Sequence, residues 1–426
     1  MIAVCELNCK NTSHETPNLG FIYGLLQAYP TEQILFFAHS SHWDVLKKNA
    51  NEKSLDTTRV LFQSIIPYPK TSPLALLWNF FLITYIFYRI RSLEVRTVLF
   101  LSASSAQHYI IKFFVDKIKY TLKTCAIVLH GTLDTLAVPN FTITQHAVIE
   151  SSKHKSLFAK ILACSIRDLP QKVYSKVYSK VTFYTKKISL HLAVNIDLKK
   201  SILYKNSHAI KYIVLAQHIQ DKLSHYIDTT NMQVHVLTLP AVFARPCAAA
   251  PNQFLKIAIF GYGHSAMLYR LNVALAKCDI QKDYEIRIIG MDGSATEAFS
   301  HVTHPINRVL KRTEMEALAS DIDMFLILYE KERYILSCSG SIIEAHSYVK
   351  PVLYLDNPCI NAFNPPENPV GIACANIDEM ATTLTEIINN FEEFRPTLQK
   401  FKSNMLAQRD KIDIRNNLET LRAIVG

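Results

Sequence analysis

Ser339-Gly340-Ser341 and, one turn later, Glu344 are the residues of this chain whose types and spacing best fit a chemical task. Met324 to Leu328 is a short apolar run of the kind buried on both faces of a sheet. A polar loop follows, and the Ser-Gly-Ser triplet opens a helix. Serine caps the free N–H groups there, and glycine lets the backbone approach a ligand closely. Unpaired N–H groups at a helix start suit a phosphate. Glu344 sits about one turn inside the helix, on the side facing whatever the N-terminus binds. Lys350-Pro351 closes the helix, and Val352 to Leu355 is the next strand. A diphosphate at the helix start, with a carboxylate in reach of a ribose, outlines a nucleotide-sugar site.

Other residues carry complementary chemistry. Gly261-Tyr262-Gly263 is a tight turn after the strand Leu255 to Phe260. Such a turn also opens dinucleotide sites, and Ala266 fits their last glycine position. No acidic residue ends the next strand, Glu285 to Ile289, so a dinucleotide oxidoreductase is disfavoured. A diphosphate leaving group needs cations as its charge builds. Arg270, Lys311 and Arg333 are candidates, Arg333 first because its loop precedes the phosphate helix. In the N-terminal half, Ile127 to Gly131 ends a strand on His130, at the carboxyl edge where open α/β sheets bind ligands. Asp134, one turn on, is placed to orient His130 or to act as a base. His14 and Glu15, before the first helix, are further candidates. An inverting transfer needs a base to deprotonate the acceptor hydroxyl and a retaining one need not, so the stereochemistry stays open. A metal-bridged mechanism is not expected, and neither a metal nor a cofactor is assigned.

Ile343-Glu344-Ala345 followed by Val349-Lys350-Pro351-Val352 resembles the donor segment of GT-B glycosyltransferases, in particular the family-4-like members. The match has gaps. Those enzymes carry an earlier glutamate where this chain has Leu336, and an Arg and Lys pair that is missing after Gly263. The resemblance implies two Rossmann-like, doubly wound domains facing a cleft. It gives His130 the place of the acceptor-domain histidine that faces the donor sugar. It makes Asn18-Leu19-Gly20 similar to the loop that lets the acceptor domain approach the donor phosphate. Gly261, Gly263, Arg333, Ser339, Gly340, Ser341 and Glu344 then bind the donor, and His130, Asp134 and Glu15 face the chemistry.

These residues need a frame. Strands expected at Ile2–Cys5, Gln33–Ala38, Arg59–Gln63, Thr97–Ser102 and Cys125–His130 alternate with helices at Gly20–Tyr29, Pro73–Ser92 and Ser105–Lys119. That alternation predicts a parallel sheet. Residues 1–240 form the N-terminal, acceptor-binding unit and 241–253 the proline-bearing linker. The donor unit follows at 254–390, and 391–426 are charged helices crossing back to the first domain. Hydrophobic residues at 49% and charged residues at 19% of 426 describe a globular protein with large cores. Nine cysteines without metal or disulfide spacing suit a reducing cytosol. Met1 to Glu6 lacks the features of a signal peptide. The apolar segment 73–92 is read as a buried or interfacial helix rather than a membrane span.

The interval 151–205 breaks the alternation. It holds twelve Lys or Arg against two acids, Asp168 and Asp197, a balance of +10 that equals the net charge of the whole chain. Lys172, Tyr174, Lys176, Tyr178 and Lys180 alternate cations with aromatics, a pattern that suits an anionic membrane surface or an ordinary solvated face. No nucleic-acid-binding signature accompanies the charge. The reading is therefore a metal-independent transferase that moves a sugar from a nucleotide-diphosphate sugar to a glycan or lipid-linked glycan, in polysaccharide biosynthesis. It would work peripherally, at the cytoplasmic face of the cell membrane. A nucleotide-sugar 2-epimerase and an inactive GT-B-like scaffold are the alternatives.

Overall fold

Short apolar strands separated by helices pair in parallel, because each crossover returns the chain to the same edge of the sheet. The computed structural model describes residues 1–67, 73–117, 122–137, 197–243, 251–260, 265–289, 302–304, 310 and 312–426. Among these, seven strands form a first sheet: β1 Ile2–Glu6, β2 Ile34–Ala38, β3 Val60–Ser64, β4 Thr97–Ser102, β5 Thr124–Leu129, β6 Ile210–Val214 and β7 Gln233–Val236. Six form a second: β8 Leu255–Phe260, β9 Tyr284–Ile289, β10 Val302–His304, β11 Met324–Ile327, β12 Val352–Leu355 and β13 Gly371–Cys374. The orders are β3-β2-β1-β4-β5-β6-β7 and β10-β9-β8-β11-β12-β13. Every pairing is parallel. Both orders reverse direction once, between β1 and β4 and between β8 and β11. Crevices open at such reversals, at the carboxyl ends of the strands.

The helices that matter to the site are α1 Glu15–Ala28, α2 Ser40–Glu52, α3 Pro73–Ser92, α4 Ser105–Lys117, α5 Asp134–Ala137, α6 Leu198–Leu203 and α7 Gln217–Leu223 in the first half. In the second half they are α8 Ser265–Leu275, α9 Arg312–Ser320, α10 Gly340–Tyr348, α11 Pro358–Asn361, α12 Ile377–Asn389, α13 Phe391–Ile412 and α14 Leu418–Val425. Apolar α3 is a packing element. Ile83, Ile86, Phe87 and Ile90 are buried, and Phe87 stacks on Phe114 of α4 with ring centroids 5.4 Å apart. No described helix is long and apolar enough to cross a membrane.

The chain's last helix, α14, packs on α1 and on β4 and β5, so the C-terminal segment returns to the first sheet. Lys211 caps it, its Nζ donating to the carbonyls of Ala423 and Ile424 at 3.1 and 2.7 Å. Beside it Gly24 of α1 faces Ile414, and Gly20 lies against the backbone of Pro240. Gly20 is thus a packing glycine under the linker. The expected approach of Asn18-Leu19-Gly20 to a donor phosphate is not what the structure shows. Asn18 is buried and bonded to Glu6 and His42.

Candidate functional site

The loop after β1 sits at the first reversal of strand order, and a buried carboxylate organises it. Glu6 ends β1 fully buried. Its Oε1 accepts the backbone N–H groups of Asn8 and Cys9 at 2.9 and 3.1 Å and the hydroxyl of Ser102; its Oε2 accepts Asn18 Nδ2 at 3.0 Å. Four donors satisfy a charge that would otherwise be very costly to bury. Asn8 extends the network to Gln107, and Gln107 to Asn79. The loop therefore has a fixed shape, and it ends on His14 in left-handed backbone, φ 53°, at the start of α1.

His14 meets His130, which follows β5. Their Nε2 atoms are 3.0 Å apart and the rings cross edge to face. One ring must donate and the other accept, so the pair needs at least one neutral histidine. Burial, then the neighbouring His14, lowers the His130 pKa to about 3. The His14 pKa is lowered by burial against an opposing pull from Glu6, with His42 adding to the lowering. His14 is exposed and His130 half-buried, so both rings meet solvent. Both shifts favour the neutral imidazole, the form that can accept a proton. Cys9 Sγ lies 3.2 Å from His14 Nδ1. Glu6, Cys9 and His14 offer an oxygen, a sulfur and a nitrogen within 4.8 Å of one another, a set of the kind that holds a divalent cation. The four bonds to Glu6 leave its carboxylate already committed, and the group reads as a hydrogen-bonded unit.

Across the cleft, β11 leads through the loop 328–339 to α10. Ser339 is the N-cap, its Oγ accepting Ser341 N–H at 3.1 Å. The Tyr329 hydroxyl lies 2.9 Å from Ser339 Oγ and 2.8 Å from Ser341 Oγ, which fixes both serines. A side chain on Gly340 would meet no described residue within 4 Å. Glu344 is half-buried, and Thr16 of α1 donates its hydroxyl to Oε1 at 3.2 Å. That bond puts Glu344 beside the loop that carries His14, two residues before Thr16. Arg333 lies over the rings of Tyr329 and Tyr334, its guanidinium carbon 6.0 and 5.3 Å from their centroids.

No protein-family model matches the chain, and no curated protein does. Solved structures do. HepE of Anabaena in complex with UDP-glucose superposes with a TM-score of 0.58 at 12% identity, over 100% of this chain and 99% of that one. A glycosyltransferase from Rickettsia africae gives 0.57 at 11% identity, over 100% and 97%. The apo form of WaaB, a lipopolysaccharide outer core galactosyltransferase, gives 0.56 at 11% identity, over 99% and 99%. The fold is GT-B.

Set in the GT-B frame, the sequence candidates divide. Ser339, Gly340, Ser341 and Glu344 come together on α10, and His14 and His130 come together opposite. Asp134 does not orient His130. Both its oxygens are held by Leu336 N–H, at 2.7 Å, and by the Ser337 hydroxyl. Among the described residues His130 Nδ1 has no partner, so no described carboxylate orients that ring. Glu15 lines a small recess with Thr16, Lys53, Val242 and Glu316. Arg270 is exposed on α8. Gly261, Gly263, Lys311 and the stretch from Lys172 to Lys180 lie outside the described residues. Asp321-Ile322-Asp323 has the Asp-x-Asp spacing of metal-bridged transferases. Asp321 pairs with Lys256 and Arg287, and Asp323 accepts from Asn252 and Lys256, at the start of β11 and away from the ligand edge. Glu6, Cys9, Thr16 and Tyr329 were not signalled by any motif.

Proposed function

We propose that this chain is a glycosyltransferase that moves a sugar from a nucleotide-diphosphate sugar to a hydroxyl acceptor. The donor diphosphate lies at the start of α10, with Glu344 on the ribose. The acceptor enters over the N-terminal half, 1–240, with 241–253 as linker, 254–390 as donor domain and 391–426 as returning helices. The acceptor oxygen bonds to the anomeric carbon, the bond from that carbon to the phosphate oxygen breaks, and the nucleoside diphosphate leaves. The neutral His14–His130 pair takes the acceptor proton, and Arg333 faces the leaving charge. No metal is assigned to this step.

The observation that carries the reading is the Thr16–Glu344 contact, which sets the donor carboxylate and the histidine pair on facing sides of one cleft. HepE, described with UDP-glucose and with UDP, and WaaB, a galactosyltransferase, support the donor class. The acceptor is a glycan or a lipid-linked glycan, reached at the cytoplasmic face of the membrane, where the basic interval 151–205 meets anionic lipid.

Calorimetry with nucleoside diphosphates tests the donor site. A hydrogen bond to a charged group contributes ~1.5–3 kcal/mol, so Glu344→Ala should weaken the cognate nucleotide roughly 10- to 150-fold. Unchanged affinity would remove Glu344 from the site. A donor-hydrolysis assay sorts the alternatives: a transferase leaks slow hydrolysis, an epimerase converts the sugar without acceptor, and a scaffold does neither.

A further inference from the structure

Asp134 is buried to 3% exposure, and both of its partners lie in the other domain. A carboxylate placed there for stability within its own half would find donors in that half. Instead Oδ1 takes the N–H of Leu336 and Oδ2 the hydroxyl of Ser337, some two hundred residues away. Burial raises its pKa, while Ser337, Leu336 and the charge of Arg333 pull it down. The contact thus keeps a desolvated carboxylate in place with donors from one short loop. A second tie runs beside it: His218 of α7 lies with Nε2 3.3 Å from the carbonyl of Tyr334, a residue in left-handed backbone at φ 59°. Two residues beyond Ser337 the chain reaches Ser339, the cap of α10.

We propose that Asp134 is a positioning residue that couples closure of the two domains to the shape of the donor site. With the cleft closed, the carboxylate holds Leu336 and Ser337 and thereby fixes the start of α10. With the cleft open, water solvates the carboxylate, Leu336 N–H loses its partner, and the loop is released. Such a contact is made as a unit, because a buried carboxylate left with one partner keeps most of its desolvation penalty. The assignment of the donor to α10 rests on the function proposed above; the latch itself rests on geometry alone.

Two measurements on the full chain test it. The first is amide hydrogen exchange over 330–339, without ligand. Asp134→Asn keeps the size but presents an amide N–H₂ where the Ser337 hydroxyl or Leu336 N–H now donates, and should speed exchange at Leu336 by roughly tenfold or more. Ser337→Ala, a milder change, should do so in part, and the double variant should be no worse than Asp134→Asn alone. Unchanged exchange in Asp134→Asn, or additive effects in the double variant, would overturn the latch. The second is calorimetric titration with UDP, GDP, ADP and CDP. The diphosphate that binds wild type tightest should bind Asp134→Asn roughly tenfold more weakly. Equal affinity with faster exchange would overturn the coupling while leaving the contact. Should wild type bind none of the four, the glycosyltransferase reading fails and the coupling with it, and exchange at Leu336 alone decides the latch.

Discussion

His130→Gln separates a catalytic histidine from a structural one, because the ring is held neutral by burial. Its pKa falls from 6.5 to about 3, through burial first and His14 second. Unfolded, the same ring takes a proton near pH 6.5. The unfolded state therefore binds one more proton below that pH, and folding stability falls as pH drops from 6.5 toward 3. The slope is ~1.36 kcal/mol per pH unit for each such group. From pH 6.5, where the unfolded ring is already half protonated, to pH 5.0 the cost is at most about 1.7 kcal/mol, and less because the ring edge meets solvent. His108, buried to 1% exposure and lowered to about 3 by burial and Lys112, adds a second share of the same sign. Urea unfolding at both pH values should show His130→Gln losing roughly 1–1.5 kcal/mol less than wild type over that interval. At pH 7 the variant should lose turnover by about 10²–10⁴, the usual contribution of a general base, with nucleotide affinity within twofold. The acid limb of the wild-type rate should lie well below pH 6.5. Wild-type turnover in the variant would make the histidine structural. An unaltered pH slope of stability would show that the folded ring accepts its proton freely, and the argument from burial would fail with it.

Two further outcomes follow from the packing and the charge. Gly20→Ala should destabilise the fold by ~1–3 kcal/mol in urea unfolding, although alanine is ordinarily the better helix residue, because the new Cβ would sit 2.4 Å from the Pro240 carbonyl oxygen; equal or greater stability would show that the linker can move aside. Binding to anionic vesicles should fall with salt without vanishing, and Lys172, Lys176 and Lys180 replaced by Gln should weaken it, at ~1 kcal/mol per basic residue engaged; equal sedimentation with neutral and anionic vesicles would discard the electrostatic idea.

Much of the frame was legible because it is local. Leu255–Phe260, Thr97–Ser102 and Val352–Leu355 are apolar runs bounded by polar or breaking residues, and they are strands at those bounds. Pro73–Ser92 is a helix at the bounds its apolar run gives. Gly371–Cys374 was hidden because it is four residues long and opens on glycine, which the sheet requires there: a Cβ would come within 1.9 Å of the Val352 carbonyl oxygen. Helix α2 was hidden for the opposite reason, since of Ser40–Glu52 only His42, Leu46 and Ala50 are buried, too few to print a period on the sequence. The clustering of Ser339, Gly340 and Glu344 was legible because cap, glycine and carboxylate occupy one turn of one helix. The cross-domain pairing was not. Thr16 and Glu344, like Asp134 and Ser337, are partners more than two hundred residues apart that meet only where the two sheets' units pack together. Nothing in the composition around Asp134 distinguishes a base from a latch.

The distribution of positive charge follows from the same packing. Three lysines are spent inside the fold as helix caps. Lys112 donates to the carbonyls of Ser201 and Ile202 at the end of α6, Lys211 caps α14, and Lys350 donates to Ser320 and Ile322 at the end of α9. Burial lowers the pKa of each, Lys112 to about 7 and Lys350 to about 8. A lysine with a pKa near 7 carries only part of its charge at neutral pH, so the formal +10 overstates what the folded protein shows to solvent. The remainder of the chain is close to balanced, and the attraction for anions is concentrated in 151–205. Of that interval the described residues are 197–205; they include α6, which Lys112 holds and which packs on α5, the helix that begins with Asp134.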